Sequence, residues 1–179
     1  MADQPVVKPK ILIAEPKLQA RVKEIAQKIN HDYRGLEITA VCVLKGSFVF
    51  FSDLIRQLDL SMSCEFLGLS SYGGQTTSSG EVKMTLDLNE PIEGRHVLVI
   101  EDIVDTGLTL EYIAHALKGR KPASLKICSL LVKPESMKTT LEVDYVGFTI
   151  GNEFVVGYGL DYAEKFRGLP YIGYIENEH

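Results

Sequence analysis

Two adjacent carboxylates and a loop rich in hydroxyl groups lie close together in the middle of the chain. Glu101 and Asp102 end a long apolar run, and the loop 105–109, with the sequence DTGLT, follows soon after them. Carboxylates accept hydrogen bonds and bind hard cations, so the pair suits the vicinal hydroxyls of a sugar or a magnesium ion. Threonine hydroxyls and the free amides at a helix start suit a phosphate. The segment therefore predicts a site for a phosphorylated sugar.

An ordinary helix start is the simpler alternative for the same segment. In that case Asp102 or Asp105 would be the N-cap of the helix that follows. A cap accounts for one acidic residue, whereas three acidic residues stand within the positions 101–105. Gly107 in the loop can also take a positive φ and lets the backbone come close to a ligand. These points favour the phosphate-sugar site.

The elements that must position this site alternate along the chain. The unbroken apolar run from Val97 to Ile100 is typical of a buried central strand in a parallel sheet. Apolar residues recur on one stripe of the segment that begins at Pro16, which predicts a helix. After a short apolar segment at 11–14, we predict strands at 38–44, 64–69, 82–88, 96–101, 125–132 and 144–150, and helices at 16–32, 47–58 and 108–118. This order predicts an α/β fold whose mostly parallel sheet is covered on both faces and binds ligands beyond the carboxyl ends of its strands.

Length, composition and charge indicate one cytoplasmic domain. The 179 residues suffice for a sizeable core, and no apolar run approaches the ~20 residues of a membrane helix. The N-terminal sequence MADQPVVKPK lacks the layout of a signal peptide. The net charge is −5, and no run of Lys and Arg indicates a nucleic-acid face. Cys42, Cys64 and Cys128 have no CxxC spacing, so we expect reduced core residues.

The run 97–110 resembles the phosphoribosyl-pyrophosphate (PRPP) signature of the phosphoribosyltransferases, in which two acidic residues precede D-[ST]-G-x-T. Four more segments in the same order resemble the 6-oxopurine branch, the hypoxanthine–guanine phosphoribosyltransferases. They are LKGSF (44–48), SSYG (70–73), LLVKPE (130–135) and EFVVGYGLDYAEKFRGLPYIG (153–173). The resemblance implies the type I phosphoribosyltransferase fold, a mostly parallel twisted sheet flanked by helices. It also implies one domain, 1–179, with a core at about 36–150 and a small hood from about 1–15 and 151–179.

The resemblance assigns the PRPP half of the site to three segments. Asp105 is the implied general base, which takes or shares the proton at N7 of the purine. The implied PRPP contacts are Asp105, Thr106, Gly107, Leu108 and Thr109 for the 5′-phosphate, Glu101 and Asp102 for the ribose, and Lys45, Gly46 and Arg167 for the pyrophosphate. The implied cofactor is Mg²⁺, with Glu101, Asp102 and Asp161 as ligands. We also expect a non-proline cis peptide next to Lys45.

Two simpler alternatives remain for the residues of that half. Lys45 could stand at an ordinary helix start with Ser47 as its cap. Asp161 and Arg167, six residues apart, could form a plain surface ion pair.

The base half rests on Lys133, which follows a predicted strand. A lysine there is usually a solvated charge, but an ammonium group has three donors and no acceptor, so it can recognise a 6-oxo group and not a 6-amino group. The resemblance places Lys133 at that oxygen, Phe154 stacked on the purine, Val155 at the base edge and Asp161 beside the purine as well as the metal. Phe154 and Val155 could equally be core residues.

Nine of the twelve residues in the segment 70–81 are Ser, Thr or Gly, which cannot pack a core. The resemblance makes it a lid in which Ser71 and Tyr72 cover the reaction centre and exclude water. Without the resemblance the segment would be a plain mobile loop.

The implied function is purine salvage: transfer of the phosphoribosyl group from PRPP to hypoxanthine or guanine, which gives IMP or GMP and pyrophosphate. The same enzyme with xanthine as its preferred base is one alternative, and a regulatory protein of the same fold that binds PRPP is another. The implied partners are small molecules, without nucleic acid or membrane, and the chain is expected to form a homodimer or homotetramer. The apolar segment 48–54 is the candidate interface, with a fully buried helix as the alternative.

Overall fold

The computed structural model of the chain describes residues 8–71 and 82–175. Its elements, in order, are β1 (Lys10–Ile13), α1 (Glu15–Asp32), β2 (Ile38–Leu44), α2 (Phe48–Ile55), β3 (Met62–Ser71), β4 (Val82–Leu86), β5 (His96–Val104), α3 (Leu108–Lys118), β6 (Ser124–Val132), β7 (Tyr145–Thr149), β8 (Val155–Val156) and β9 (Ile172–Tyr174). Each predicted strand and helix is confirmed, with end points that shift by a few residues. The sequence pattern did not predict β8 and β9, which lie in the glycine-rich C-terminal region.

The main sheet has six strands in the order β4-β3-β2-β5-β6-β7. β3, β2, β5, β6 and β7 are parallel to one another, and the edge strand β4 is antiparallel to β3. The sheet is therefore mostly parallel, as predicted. β5 lies between β2 and β6, and the carboxyl ends of these three strands meet at one edge.

The sheet separates two apolar cores, and the alternation of side chains along β5 contributes to both. Leu98 and Ile100 pack with the helices α1 and α2, whereas Val97 and Val99 pack with α3. The predicted apolar stripe of α1 is buried, and Pro16 lies in its first turn, where a missing amide hydrogen costs nothing. Because β5 is buried on both faces, its position is fixed, and so is the position of the residues at its carboxyl end.

A second, smaller sheet joins the two ends of the chain. Its three strands have the order β1-β9-β8, and all pairs are antiparallel. Lys10 pairs with Tyr174, and Val156 pairs with Gly173. This sheet pairs strands from the two segments that were predicted to form the hood. That they cover a bound base stays a prediction.

Helix α2 is largely a core helix of its own chain. Phe50, Phe51 and Leu54 are buried, and Phe48 is 44% exposed. Ser47 precedes the helix but does not cap it with its side chain, because the hydroxyl donates to the carbonyl of Val43 instead. Ser47 thus holds the N-cap position, and its carbonyl accepts the Phe51 amide, but it gives no side-chain cap. The interface role of 48–54 stays a prediction. Within the described residues, no helix is both long and apolar enough to cross a membrane.

The expectation that all three cysteines are core residues is wrong for one of them. Cys42 and Cys128 are buried, but Cys64 is exposed. Cys64 lies on the same face of β3 as Phe66, which contacts Phe51 of α2 at 5.7 Å between ring centroids and is still 38% exposed. The short helix α2 covers this part of the sheet incompletely, so an apolar strand pattern there does not mean full burial.

We expect a water-soluble thiol reagent to modify the native protein at Cys64 alone. Burial raises the pKa of Cys42 to about 11 and raises the pKa of Cys128 further, so neither thiol is accessible or ionised. Partial burial also raises the pKa of Cys64, so its reaction will be slow but complete. Mass spectrometry should find one adduct on the native protein and three after denaturation, and none on native Cys64→Ser. Native modification of Cys42 or Cys128 would contradict the packing described above.

Candidate functional site

The carboxyl ends of β2, β5 and β6 enclose two adjoining cavities of about 280 Å³ and 560 Å³. Gly46, Asp102 and Asp105 line both cavities, so the two are parts of one site. The smaller cavity also contains the loop 105–109, and the larger one extends to the C-terminal segment 154–167. The site therefore lies where the parallel sheet predicts it, and it is larger than the loop alone.

The two adjacent carboxylates lie deep in this site. Glu101 and Asp102 are each 8% exposed. The Asp102 amide donates to Glu101 Oε1 at 3.0 Å, and the Ile103 amide donates to Asp102 Oδ1 at 2.7 Å. Burial raises the pKa of both carboxyls, and for Glu101 the neighbouring Asp102 charge raises it further. The pair is thus short of donors, and sugar hydroxyls or a cation would supply them.

The loop after the carboxylates turns into α3 at Gly107. Gly107 is the N-cap, with φ +79°, and its carbonyl accepts the Glu111 amide at 2.9 Å. Neither Asp102 nor Asp105 caps the helix, so the simpler alternative for this segment is wrong. The first amides of α3 have no partner within the helix and border the smaller cavity, an arrangement that suits an anion.

The sequence analysis missed the segment that supports this loop. The Lys138 amide donates to the Thr106 carbonyl at 2.9 Å. A side-chain carbon on Gly107 would lie 2.5 Å from Thr139 Oγ1, so the loop also needs glycine because Thr139 packs against it. Thr139 Oγ1 is buried and has no hydrogen-bond partner. These contacts join residues more than thirty positions apart, and no local pattern in the sequence indicates them.

The loop after β2 carries the expected cis peptide, between Leu44 and Lys45. Gly46 is packed tightly on two sides. A side-chain carbon at Gly46 would lie 1.6 Å from Asp102 Oδ2, and one at Gly159 would lie 2.1 Å from the Gly46 carbonyl oxygen. Both positions therefore require glycine, and the loop lies in direct contact with the acidic pair and with the C-terminal turn.

A cluster of opposite charges lines the larger cavity. Arg167 Nη2 lies 2.9 Å from Asp161 Oδ1, so the predicted ion pair is present, and it borders the cavity rather than an unrelated surface. Glu164, which the sequence analysis missed, lies 3.4 Å from both Lys45 Nζ and Arg167 Nη2. Two cations from distant segments thus share one exposed carboxylate, which a polyphosphate could replace.

Lys133 is buried at the end of β6, with an exposure of 7%. Its amide donates to the Val104 carbonyl at 2.9 Å, and its Nζ lies 3.4 Å from Asp105 Oδ2. The alternative of a solvated surface charge is therefore wrong. A buried ammonium group with one long contact has donors left for a ligand.

The two candidate stacking and edge residues differ in their surroundings. Phe154 is 52% exposed, lines the larger cavity and contacts the Tyr162 ring edge to face at 5.6 Å between centroids. Val155 is buried in β8. The core alternative is therefore wrong for Phe154, whereas Val155 has core packing and also borders the cavity.

The predicted lid falls mostly outside the described residues. The backbone of Ser71 ends β3, and Tyr72 belongs to the part of the chain that the structure does not describe. Within residues 8–71 and 82–175, no group of three or more His, Cys, Asp or Glu side chains is arranged to hold a metal ion. Asp102 and Asp161 both line the larger cavity, so they fit an ion that takes its other oxygens from water and a bound phosphate.

Comparison with known proteins gives consistent matches. The phosphoribosyl transferase domain family matches residues 10–163. The hypoxanthine-guanine phosphoribosyltransferase of Bacillus subtilis (strain 168) is 47% identical over 93% of this chain and 93% of that protein. The bifunctional protein TilS/HprT of Listeria innocua is 48% identical over 94% of this chain, which spans only 26% of that longer relative. A crystal structure of a hypoxanthine-guanine phosphoribosyltransferase from Bacillus anthracis has a TM-score of 0.90 at 48% identity and covers 94% of this chain and 100% of that one.

The close packing at Gly46 predicts that Gly46→Ala will lose PRPP binding. The added methyl group must displace the Asp102 carboxylate from a position 1.6 Å away, which disrupts the acidic pair and the loop together. We expect the Kd for PRPP, measured by calorimetry, to rise roughly 100-fold or more, in the range that misplaced groups cost at such sites. Gly168→Ala is the matched control, because a side-chain carbon there meets nothing within 4 Å. Unchanged affinity in Gly46→Ala would refute the close approach.

The buried acidic pair predicts that Glu101→Gln will stabilise the fold while it weakens PRPP binding. The pKa of folded Glu101 is raised well above the ordinary 4.5, so between these values the folded state binds a proton that the unfolded chain has released. The wild-type free energy of unfolding therefore falls as pH rises through this range, and the variant lacks that loss.

We expect the variant to be more stable by about 1–3 kcal/mol at neutral pH, with the difference vanishing towards pH 4. Thermal unfolding across pH with a chelator present measures this difference. Glu24→Gln, on the exposed face of α1, is the control and should change little at any pH. A destabilised Glu101→Gln at neutral pH would contradict the burial argument.

Proposed function

The chain belongs to the phosphoribosyl transferase family and, within it, to the hypoxanthine-guanine phosphoribosyltransferases, and from this premise we propose how its site performs purine salvage. The enzyme transfers the 5-phosphoribosyl group from PRPP to hypoxanthine or guanine and releases pyrophosphate with IMP or GMP. The fold class is the predicted one, a mostly parallel twisted sheet flanked by helices. The observation that carries the proposal is that one cavity contains the buried Lys133 ammonium, the exposed Phe154 ring and the Lys45–Arg167 cation pair.

PRPP takes the acidic pair and the loop as its two main contacts. The 5′-phosphate lies on the loop 105–109 and on the free amides at the start of α3, which face the smaller cavity. The ribose hydroxyls donate to Glu101 and Asp102, whose pKa values are raised by burial. The pyrophosphate lies in the larger cavity between Lys45 and Arg167, where it takes the place of the Glu164 carboxylate.

Magnesium is the proposed cofactor. Asp102 and Asp161, which line the larger cavity, would hold it together with Glu101. When bound, the ion neutralises charge on the departing pyrophosphate. The chain's own cations Lys45 and Arg167 line the same cavity and would also neutralise that charge.

The transfer forms the bond between purine N9 and C1′ of the ribose as the bond from C1′ to the pyrophosphate oxygen breaks, with inversion at C1′. The proton on N7 passes to or is shared with Asp105. Asp105 lies in both cavities, so it borders the base and the sugar at once. The Lys133 ammonium, 3.4 Å from its carboxylate, keeps Asp105 oriented towards the base.

The base half of the site selects 6-oxopurines. Lys133 donates to the exocyclic oxygen at C6, whereas a 6-amino group carries donors of its own and offers this buried ammonium no acceptor in that position. Phe154 stacks on the ring, and Val155 presents its backbone to the base edge. Stacking accepts any purine, so selectivity comes from Lys133.

The proposed assembly is a homodimer or homotetramer in the cytoplasm. Phe48 and Phe66 are both large, apolar and more than one-third exposed near α2, which supports a contact between copies of the chain in this region.

Initial rates with hypoxanthine, guanine, xanthine and adenine, with PRPP and magnesium, test this function. We expect turnover of hypoxanthine or guanine and none of adenine. Lys133→Met should lower kcat/KM for hypoxanthine roughly 10- to 100-fold, as the loss of a hydrogen bond from a charged donor does. Lys126→Met, at the far end of β6, is the control and should retain activity. PRPP binding without turnover of any base would refute the enzymatic function and favour the regulatory protein that binds PRPP. Xanthine as the best substrate would favour the same enzyme with xanthine as its preferred base.

A further inference from the structure

We propose that Asp53 and Tyr158 are a positioning pair that holds the pyrophosphate half of the site together. This inference rests on the proposed function, because it concerns how that site binds its leaving group. Neither residue lines the two cavities described above. Their hydrogen bond joins the helix that follows the Lys45 loop to the turn that precedes Asp161.

The turn at 157–160 has a strained backbone, and the side chain of Tyr158 ties it to α2. Tyr158 has φ +52° between two glycines that also have positive φ values, Gly157 and Gly159. A tyrosine in the left-handed region is uncommon and costs about 1–3 kcal/mol, so surrounding contacts must maintain it. Tyr158 is only 3% exposed, and its hydroxyl donates to Asp53 Oδ2 at 2.6 Å. This buried hydrogen bond ties the side chain of the turn's strained residue to α2.

Asp53 is well suited to anchor the turn. It lies in α2, which begins three residues after Lys45, and it also accepts a hydrogen bond from Gln19 of α1 at 3.1 Å and pairs with Arg56. Burial pushes the pKa of Asp53 up, but the hydrogen bonds from Tyr158 and Gln19 and the Arg56 contacts outweigh it, so its pKa lies below the ordinary value. Asp53 is therefore an ionised acceptor that ties both helices to the turn.

The next residue in the turn carries this restraint into the site. Gly159 lies against the Gly46 carbonyl, with space for no side-chain carbon, as described above. Its amide donates to the Arg167 carbonyl at 2.9 Å, and its carbonyl accepts Arg167 Nη1 at 2.9 Å. Arg167 in turn pairs with Asp161. The tyrosine hydroxyl thus indirectly positions the arginine, the aspartate and the Lys45 loop.

Lys133 of the base half and the 5′-phosphate loop do not depend on this tie. Lys133 is held by the Val104 carbonyl at the end of β5, and Gly107 is held by Thr139 and by its place at the start of α3. Loss of the Tyr158 hydroxyl should therefore weaken the binding of pyrophosphate and PRPP without weakening the binding of the purine. A merely structural role would instead lower the thermal stability and affect both substrates alike.

The test compares Tyr158→Phe with Tyr145→Phe. Tyr145 is a matched control, because it is 5% exposed and its hydroxyl donates to Asp32 Oδ2 at the same 2.6 Å, at the far edge of the sheet. In Tyr158→Phe we expect the KM for PRPP and the calorimetric Kd for magnesium pyrophosphate to rise about 5- to 20-fold, with the KM for hypoxanthine within twofold. In Tyr145→Phe these constants should remain at the wild-type values, even if the Tm falls.

A second variant covers the case in which Tyr158→Phe does not fold. Asp53→Asn keeps an oxygen acceptor for the tyrosine hydroxyl and loses only the charge, so it should raise the same two constants by a smaller factor. Unchanged pyrophosphate affinity in both variants, or an equal loss for pyrophosphate and hypoxanthine, would overturn the positioning role.

The calorimetric measurement separates this inference from the proposed function. Wild-type protein that binds magnesium pyrophosphate but turns over no base would refute the function, and the pyrophosphate Kd of the variants would still decide the positioning role. Wild-type protein that does not bind magnesium pyrophosphate would overturn both.

Discussion

The backbone at Gly46 is in close contact with Asp102 on one side and with Gly159 on the other, and both halves of the site are built around these two contacts. A side-chain carbon at Gly46 would overlap Asp102, and one at Gly159 would overlap the Gly46 carbonyl. The ends of β2 and β5 and the C-terminal turn therefore meet at one peptide. The ion pairs around the cavity could not set this geometry, because Lys45 and Glu164 are 69% exposed and lie 3.4 Å apart, where such pairs contribute little. Backbone packing positions the charges.

Such a centre needs support that does not depend on its ligands. The two carboxylates at the end of β5 are nearly buried and repel each other, so they destabilise the folded state in proportion to how deeply they lie. The fold tolerates them because β5 is paired on both sides and its apolar residues fill a core on each face. The same burial makes the pair a strong acceptor for sugar hydroxyls or a cation. Burial of Glu101 and Asp102 therefore lowers the stability of the fold and strengthens the binding of a ligand.

The sequence predicts the parts of this structure that depend on neighbours in the chain. The apolar run before Glu101 and the glycine in the loop 105–109 are local signals, and the strand, the turn and the helix start follow from them. Contacts between distant segments leave no such signal. Glu164 joins the cation cluster only because the C-terminal turn folds back onto β2, and Thr139 meets Gly107 only through tertiary packing.

Cys64 is a second case in which the sequence alone gave an incorrect expectation, because its exposure depends on tertiary packing. It lies among the apolar residues of its strand, but exposure depends on whether a helix covers that part of the sheet, and α2 is too short to do so. Residue types and the resemblance therefore predicted candidate binding residues, whereas the residues that hold them in place had to come from the structure. Asp53 and Tyr158 belong to this second group, since neither lies in a motif that indicates a contact between them.

The two ends of the proposed reaction need opposite environments, and the structure has them. Selection of a base requires a donor that is already ordered and desolvated, because only then does a wrong base leave a buried charge unpaired. Lys133, at 7% exposure and held by its own backbone, meets that requirement. A leaving group must instead depart into water, so its cations should be solvated and their partners exchangeable. Lys45 meets that requirement through an exposed contact with Glu164, a carboxylate that can return as pyrophosphate leaves.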